Sequence, residues 1–472
     1  MGSEGFLALP YRCNPVFEKN AEGCGRPQQK QHGVPMPHLN LQPKVQKPAH
    51  CLAPTSSWKM LGIVSLGGCL EFYDFAVFVF FASVLNDEFF PDGMTSWMAN
   101  LQVWGLFAAG YVFRPFGGLV LAHFGDIFGR KRVFAFSILL MASSTLAIAF
   151  LPTYSMVGLA APLALLFLRA VQGIAIGGEV PGAWVFAAEH VSSKNRGLAC
   201  GAICAGLAVG ILLASLMAAA LTSNLSPETL SFYGWRVPFL VGGVFGLVSL
   251  RLRRMLVETP AFARSKASTP LIAELPLRSV IQTQRRALVL SVLATWILSA
   301  CVVVLALLMP KMLHEMYGYT REEALIGSCV STVFLGLGLT IAGIILDRIG
   351  IAAFFICFGL LLAASTLVFF VIGDSNEPQF YALCAIIGLS GSISTGVPYL
   401  MVSAFPVAVR YTGVSFAYNI SYAVFGGLTP PIITAMSLIA PQAHVHYLMA
   451  IGLVAVLLGG HIAIKPLRAF ND

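Results

Sequence analysis

Five ionisable residues stand inside long apolar runs: Glu71 and Asp74 in one, Arg114 in a second, Arg169 and Glu179 in a third. An ionised side chain at mid-bilayer costs about 2.5–3.5 kcal/mol, so residues of this kind carry function by default. Glu71 and Asp74 are three positions apart and share one helix face. A carboxylic acid in low dielectric holds its proton tightly, and an arginine that approaches and leaves it couples protonation to conformation. Glu71, Asp74, Arg169 and Glu179 form the candidate proton-coupling group. Arg114 and Arg169 offer the bidentate fork that suits a carboxylate, and with Tyr399 and Asn419 they form the candidate set for binding a small-molecule substrate. Three acids beside two arginines suit a zwitterion as well as an anion. Two plainer readings stand beside these. Arg169 could form a permanent bridge to Asp74 or Glu71, and Glu179 could pair with Arg114.

Helices must bring these groups together. At 1.5 Å rise per residue, Glu71 sits about 20 Å from the inner end of its run and Arg169 about 18 Å from the outer end of its own. In roughly 30 Å of hydrocarbon these depths overlap. The chain is 57% hydrophobic and 11% charged, with a mean hydropathy of +0.80; soluble domains carry about 25% charged residues, so lipid must cover this surface. Apolar runs of spanning length lie near 58–85, 97–122, 132–151, 157–188, 198–221, 236–255, 287–310, 324–346, 351–372, 379–404, 411–437 and 444–464. They predict an all-α membrane protein of twelve transmembrane helices in two six-helix halves. The expected division is a disordered tail at 1–57, halves at 58–255 and 287–465, a loop at 256–286 and a short tail at 466–472.

Charge sets the orientation. Of 29 Lys and Arg, only Arg236, Lys311 and Arg321 fall in outer segments when both termini are cytoplasmic, with Arg114 and Arg169 inside spans. The outer loops carry acids instead, among them Asp87, Glu88, Glu322 and Glu323. This bias predicts a multi-pass protein of the cytoplasmic membrane with both termini inside. The net charge of +8 is distributed for the bilayer, not for nucleic acid. Residues 1–57 lack the apolar core of a signal peptide. Cys13, Cys24 and Cys51 with His32, His38 and His50 fit no zinc spacing, and no metal is expected.

Two loops repeat one pattern. Gly125-Asp126-Ile127-Phe128-Gly129-Arg130 follows the second run, and Leu346-Asp347-Arg348-Ile349-Gly350 follows the eighth. Duplication of this kind is common in secondary transporters. Further blocks are Leu70-Glu71-Phe72-Tyr73-Asp74, then Arg169 to Glu179, Glu189-His190, Trp235-Arg236-Val237-Pro238, Glu258-Thr259-Pro260 and Arg410-Tyr411-Thr412-Gly413. Over residues 58 to 465 the chain resembles the metabolite:proton symporter family of the major facilitator superfamily, which includes carriers for citrate, 2-oxoglutarate, shikimate, and proline or betaine. The resemblance implies symport driven by the proton gradient. It also implies an inner latch of Gly125, Asp126, Gly129, Arg130 and Asp347 that holds the outward-open state. Departures from the family pattern are Ala122 before the loop, Ile127 after its Asp, Gly68 and Cys69 ahead of Glu71, and Val180-Pro181 after Glu179. These lost polar groups imply a substrate different from the family's commonest ones.

No phosphate loop, metalloprotease helix or nucleophile elbow occurs, so neither ATP hydrolysis nor an enzyme is expected, and no cofactor. The alternative on the same fold is an exporter or a siderophore- or drug-type carrier. A receptor or membrane enzyme would need a larger soluble segment. Each chain holds a complete cavity, which predicts function as a monomer.

Overall fold

The computed structural model describes residues 54–91, 96–128, 130–253, 276–371, 377–437, 439–440 and 442–467. The Cys- and His-containing N-terminal segment lies outside them. Over their described residues all twelve apolar runs are mainly helical. The principal helices are α1 (Pro54–Phe80), α2 (Ser96–Val112), α3 (Arg114–Phe128), α4 (Arg130–Ala149), α5 (Ala160–His190), α6 (Arg196–Asn224) and α7 (Arg236–Arg253). The chain continues with α8 (Arg285–Ala300), α9 (Arg321–Ile349), α10 (Ile351–Val371) and α11 (Glu377–Ser390). It ends with α12 (Gly396–Ala404), α13 (Arg410–Ser421), α14 (Gly427–Ser437) and α15 (Ala443–Ile464).

Among the described residues ten helices are long and apolar enough to cross a membrane by themselves. The expected runs at 132–151 and 411–437 fall short, for different reasons. Ala135–Ala149 is apolar but short. The eleventh run is diluted by Tyr411, Thr412, Ser415, Tyr418, Asn419 and Tyr422, all buried, so its polarity faces protein and not lipid. Lipid-facing surface is marked by Phe116, Phe150, Phe167 and Ile464, each more than 60% exposed. Helices apolar on every side need this arrangement, because hydrocarbon satisfies apolar groups and only intra-helix bonds satisfy the backbone.

Four irregularities shape the interior. The second span breaks between α2 and α3 at Phe113, because Pro115 has no N–H to give the preceding turn. Wide π-turns at Cys301–Leu308 and Tyr422–Gly426 interrupt the seventh and eleventh spans. A tight 3₁₀ turn at Gly391–Thr395 joins α11 to α12. Helix α6 packs along both α1 and α9, α5 along α3 and α4, α7 along α4, and α13 against α3, α5 and α8.

Candidate functional site

The buried charges converge in the middle of the bundle. Glu71 and Asp74 are each 3% exposed on α1, Arg114 opens α3 at 1%, and Arg169 and Glu179 lie on α5 at 1% and 2%. Residues inside the bilayer interior rarely carry charge without partners, so each group's surroundings matter.

Arg114 is held by aromatic rings. Its guanidinium lies 4.4 Å from the ring centre of Tyr111, 5.0 Å from Phe75 and 5.1 Å from Tyr422. Tyr111 and Tyr422 stack at 5.7 Å with an 11° interplanar angle. Cation–π contacts of this type hold the charge but use no N–H, and the Arg114 Nε and Nη1 atoms have no hydrogen-bond partner. A buried cation with free N–H donors among aromatic rings is suited to a carboxylate.

Arg169 lies 3.9 Å over the Phe78 ring and 5.3 Å from Phe75. It does not form an ion pair with Asp74. Arg169 Nη1 donates to Gln172 Oε1 at 2.9 Å, Gln172 Nε2 to Thr145 Oγ1 at 2.9 Å, and Thr145 Oγ1 to Asp74 Oδ2 at 2.9 Å. The other carboxylate oxygen, Oδ1, lies against the Cα of Gly242 on α7, where any side chain would collide with it. Glu179 lies within electrostatic reach of Asp74, and Glu71 and Arg114 within reach of Tyr418.

Helix α13 closes the site from one side. Tyr411, Ser415 and Asn419 follow one another at four-residue spacing and share one face. Tyr411 Oη donates to the Gly178 carbonyl at 2.8 Å, Ser415 Oγ to Gly118 at 3.1 Å, and Asn419 Nδ2 to Gly177 at 2.6 Å. Asn419, a candidate substrate ligand, thus spends its amide N–H on the α5 backbone, while its Oδ1 stays buried without a partner. Tyr399 is placed elsewhere. It faces Asp347, Arg196 and Cys200, away from the two buried arginines.

Asp347 caps a helix. Its Oδ1 accepts the Gly197 N–H at 2.7 Å and its Oδ2 the Leu198 N–H at 2.9 Å, at the N-terminus of α6. A carboxylate there satisfies two orphan donors and meets the positive helix end. Nearby in kind, Arg410 Nη1 lies 3.6 Å from Glu189 Oε1, joining α13 to α5. The side chains of Gly125, Asp126, Gly129 and Arg130 lie outside the described residues.

A small apolar cavity of about 20 Å³ adjoins this centre, lined by Phe72, Cys204, Leu207, Leu298, Tyr418 and Tyr422 among others. Among the described residues no cluster of His, Cys, Asp and Glu is arranged to hold a metal. Sequence reasoning did not single out Thr145 or Tyr111, and it met Glu189 and Arg410 in separate motif blocks without pairing them. Gln172 had a legible signal, since it stands one helical turn from Arg169.

Residues 64–430 match the family model described as Major Facilitator Superfamily. A putative proline/betaine transporter of Staphylococcus aureus (strain COL) is 30% identical over 405 residues, covering 84% of this chain and 86% of that protein. The inner membrane metabolite transport protein YhjE of Escherichia coli (strain K12) is 30% identical over 385 residues, covering 80% of this chain and 87% of that one. The proton:xylose symporter XylE from E. coli, bound to 6-bromo-6-deoxy-D-glucose, superposes with a TM-score of 0.74 over 87% of this chain and 96% of that one. At 17% identity that likeness is one of fold.

Proposed function

The chain belongs to the major facilitator superfamily, and from that premise we propose that it carries a small zwitterionic or anionic metabolite together with protons across the cytoplasmic membrane, by alternating access. It is a multi-pass membrane transporter and not an enzyme. The observation that carries the substrate reading is Arg114, buried in an aromatic box with Nε and Nη1 free. One of these free N–H groups donates to the substrate carboxylate, while Phe75, Tyr111 and Tyr422 exclude water and flank the substrate's apolar or cationic body. Organic acids, amino acids and betaines all present such a carboxylate. The S. aureus relative's name, a putative proline/betaine transporter, favours the zwitterions among them.

Glu71, Asp74 and Glu179 carry the proton coupling, with Arg169 as their counter-charge. The halves 58–255 and 287–465 rock about this centre, and Asp347 on the Gly197 and Leu198 amides serves as one of two inner latches. Asp126 is its counterpart. The Lys and Arg distribution supports cytoplasmic termini.

The test is uptake into proteoliposomes under an imposed inward proton gradient, with labelled proline, glycine betaine and small carboxylates. Accumulation that collapses with a protonophore and with Asp74→Asn or Glu71→Gln supports symport. Efflux of a larger compound, with no uptake of the panel, would replace symport by the exporter or siderophore-type reading.

A further inference from the structure

Asp74 and Arg169 communicate through two neutral side chains, and every bond in the chain between them runs the same way. Arg169 donates to Gln172, Gln172 to Thr145 and Thr145 to Asp74, each at 2.9 Å. Bonds aligned from cation to anion polarise one another in low dielectric. The glutamine has one useful orientation. Turned over, its NH₂ would face the guanidinium and its oxygen would compete with Asp74 for the single threonine proton. All four residues are buried, at 0% to 3% exposure.

We propose that Thr145 and Gln172 are positioning residues that report the protonation state of Asp74 to Arg169, and so bring the third span, α4, into the coupling. This rests on the symport reading and adds two residues that reading does not use. With Asp74 ionised, Thr145 has an anionic acceptor and the chain is satisfied to its end. A proton arriving on Asp74, whose Oδ1 is the unpartnered oxygen, leaves Oδ2 a weaker, neutral acceptor, so the Thr145 bond slackens and with it the polarisation that Gln172 passes to Arg169. The groups around Asp74 are few. Arg169 and Glu179 act on it from α5, and Glu71 and Tyr73 share its own helix. From α4 comes Thr145, from α7 Gly242, and α6 meets the α1 backbone through Gly210.

The test reads Asp74 without any substrate. The full chain, purified and reconstituted in lipid, is titrated by infrared spectroscopy, and the carboxylic-acid band missing from Asp74→Asn is assigned to Asp74. Thr145→Val keeps the shape and removes the hydroxyl, so the ionised form loses its donor and the band's midpoint moves to higher pH by about one unit or more. Thr145→Ser restores the wild-type midpoint, and Gln172→Leu gives a smaller shift of the same sign. An unmoved midpoint in Thr145→Val, a serine variant that behaves like valine, or no titrating band assignable to Asp74 would each overturn the proposal. Should Thr145→Val not fold, Gln172→Leu against wild type carries the same comparison. Gradient-driven uptake of labelled proline and glycine betaine is measured in the same vesicles. Absent wild-type uptake with the infrared shifts intact removes the symport of these zwitterions alone, whereas intact uptake with unmoved midpoints removes the relay alone.

Discussion

Arg114 and Tyr422 meet guanidinium to ring at 5.1 Å, across a junction between the second and eleventh spans. A cation–π contact at a desolvated site contributes up to about 2 kcal/mol. Tyr422→Phe keeps the ring and is expected to leave the apparent KM for labelled proline or betaine within about threefold of wild type. Tyr422→Ala removes it and raises KM by about tenfold or more. Arg114→Lys retains the charge but not the fork, and its KM rises at least as far.

Asp347 holds the start of α6 through two backbone amides. Asp347→Asn cannot present two carboxylate oxygens, so the latch weakens by roughly 1–2 kcal/mol. Cys200, fully buried just behind it, reports the change. Thiol labelling of Cys200 from the inner face is expected to rise about five- to thirtyfold in Asp347→Asn, with Cys200→Ser as the blank. Unchanged labelling would leave Asp347 as a helix cap alone.

Gly242 is present because Asp74 leaves no room for a side chain. Gly242→Ala should therefore displace the carboxylate and abolish gradient-driven uptake. Gly62→Ala is the contrast, since nothing lies within 4 Å of the added carbon. It should keep uptake and gain up to about 1 kcal/mol from reduced freedom of the unfolded chain. Thermal unfolding and uptake on both variants check the pair.

Glu189 and Arg410 tie α5 to α13 with side chains 4% and 9% exposed. A double-mutant cycle with Glu189→Gln and Arg410→Gln, read by thermal unfolding, is expected to give a coupling of about 1 kcal/mol. Zero coupling would mark the pair as incidental.

The fold was largely legible because lipid imposes a length and a composition on every span. Where a span faces protein, that rule fails, and the run around Tyr411, Ser415 and Asn419 looks too polar to cross alone. The buried charges were legible by type, since Glu71, Asp74, Arg114, Arg169 and Glu179 have no other reason to stand in apolar runs. Their partners were not. Thr145 is an ordinary threonine in sequence and becomes a ligand of Asp74 only through the register of α4 against α1. The surroundings of Tyr399 and Asn419 were not legible either: one faces Asp347 and the other donates to a main-chain carbonyl, contacts that depend on how distant helices meet.

The seam made by α13 has a consequence for how the molecule moves. Its teeth bite on peptide oxygens of Gly118, Gly177 and Gly178, not on side chains. Pulled apart into hydrocarbon, those oxygens would lose a hydrogen bond with nothing to replace it; pulled apart into a wet mouth, each is taken up by water. Hydration is thus the lubricant of the junction, and its supply decides which way the helices can part. Separation toward an aqueous face is cheap and sideways separation toward lipid is not, so the backbone itself steers the opening.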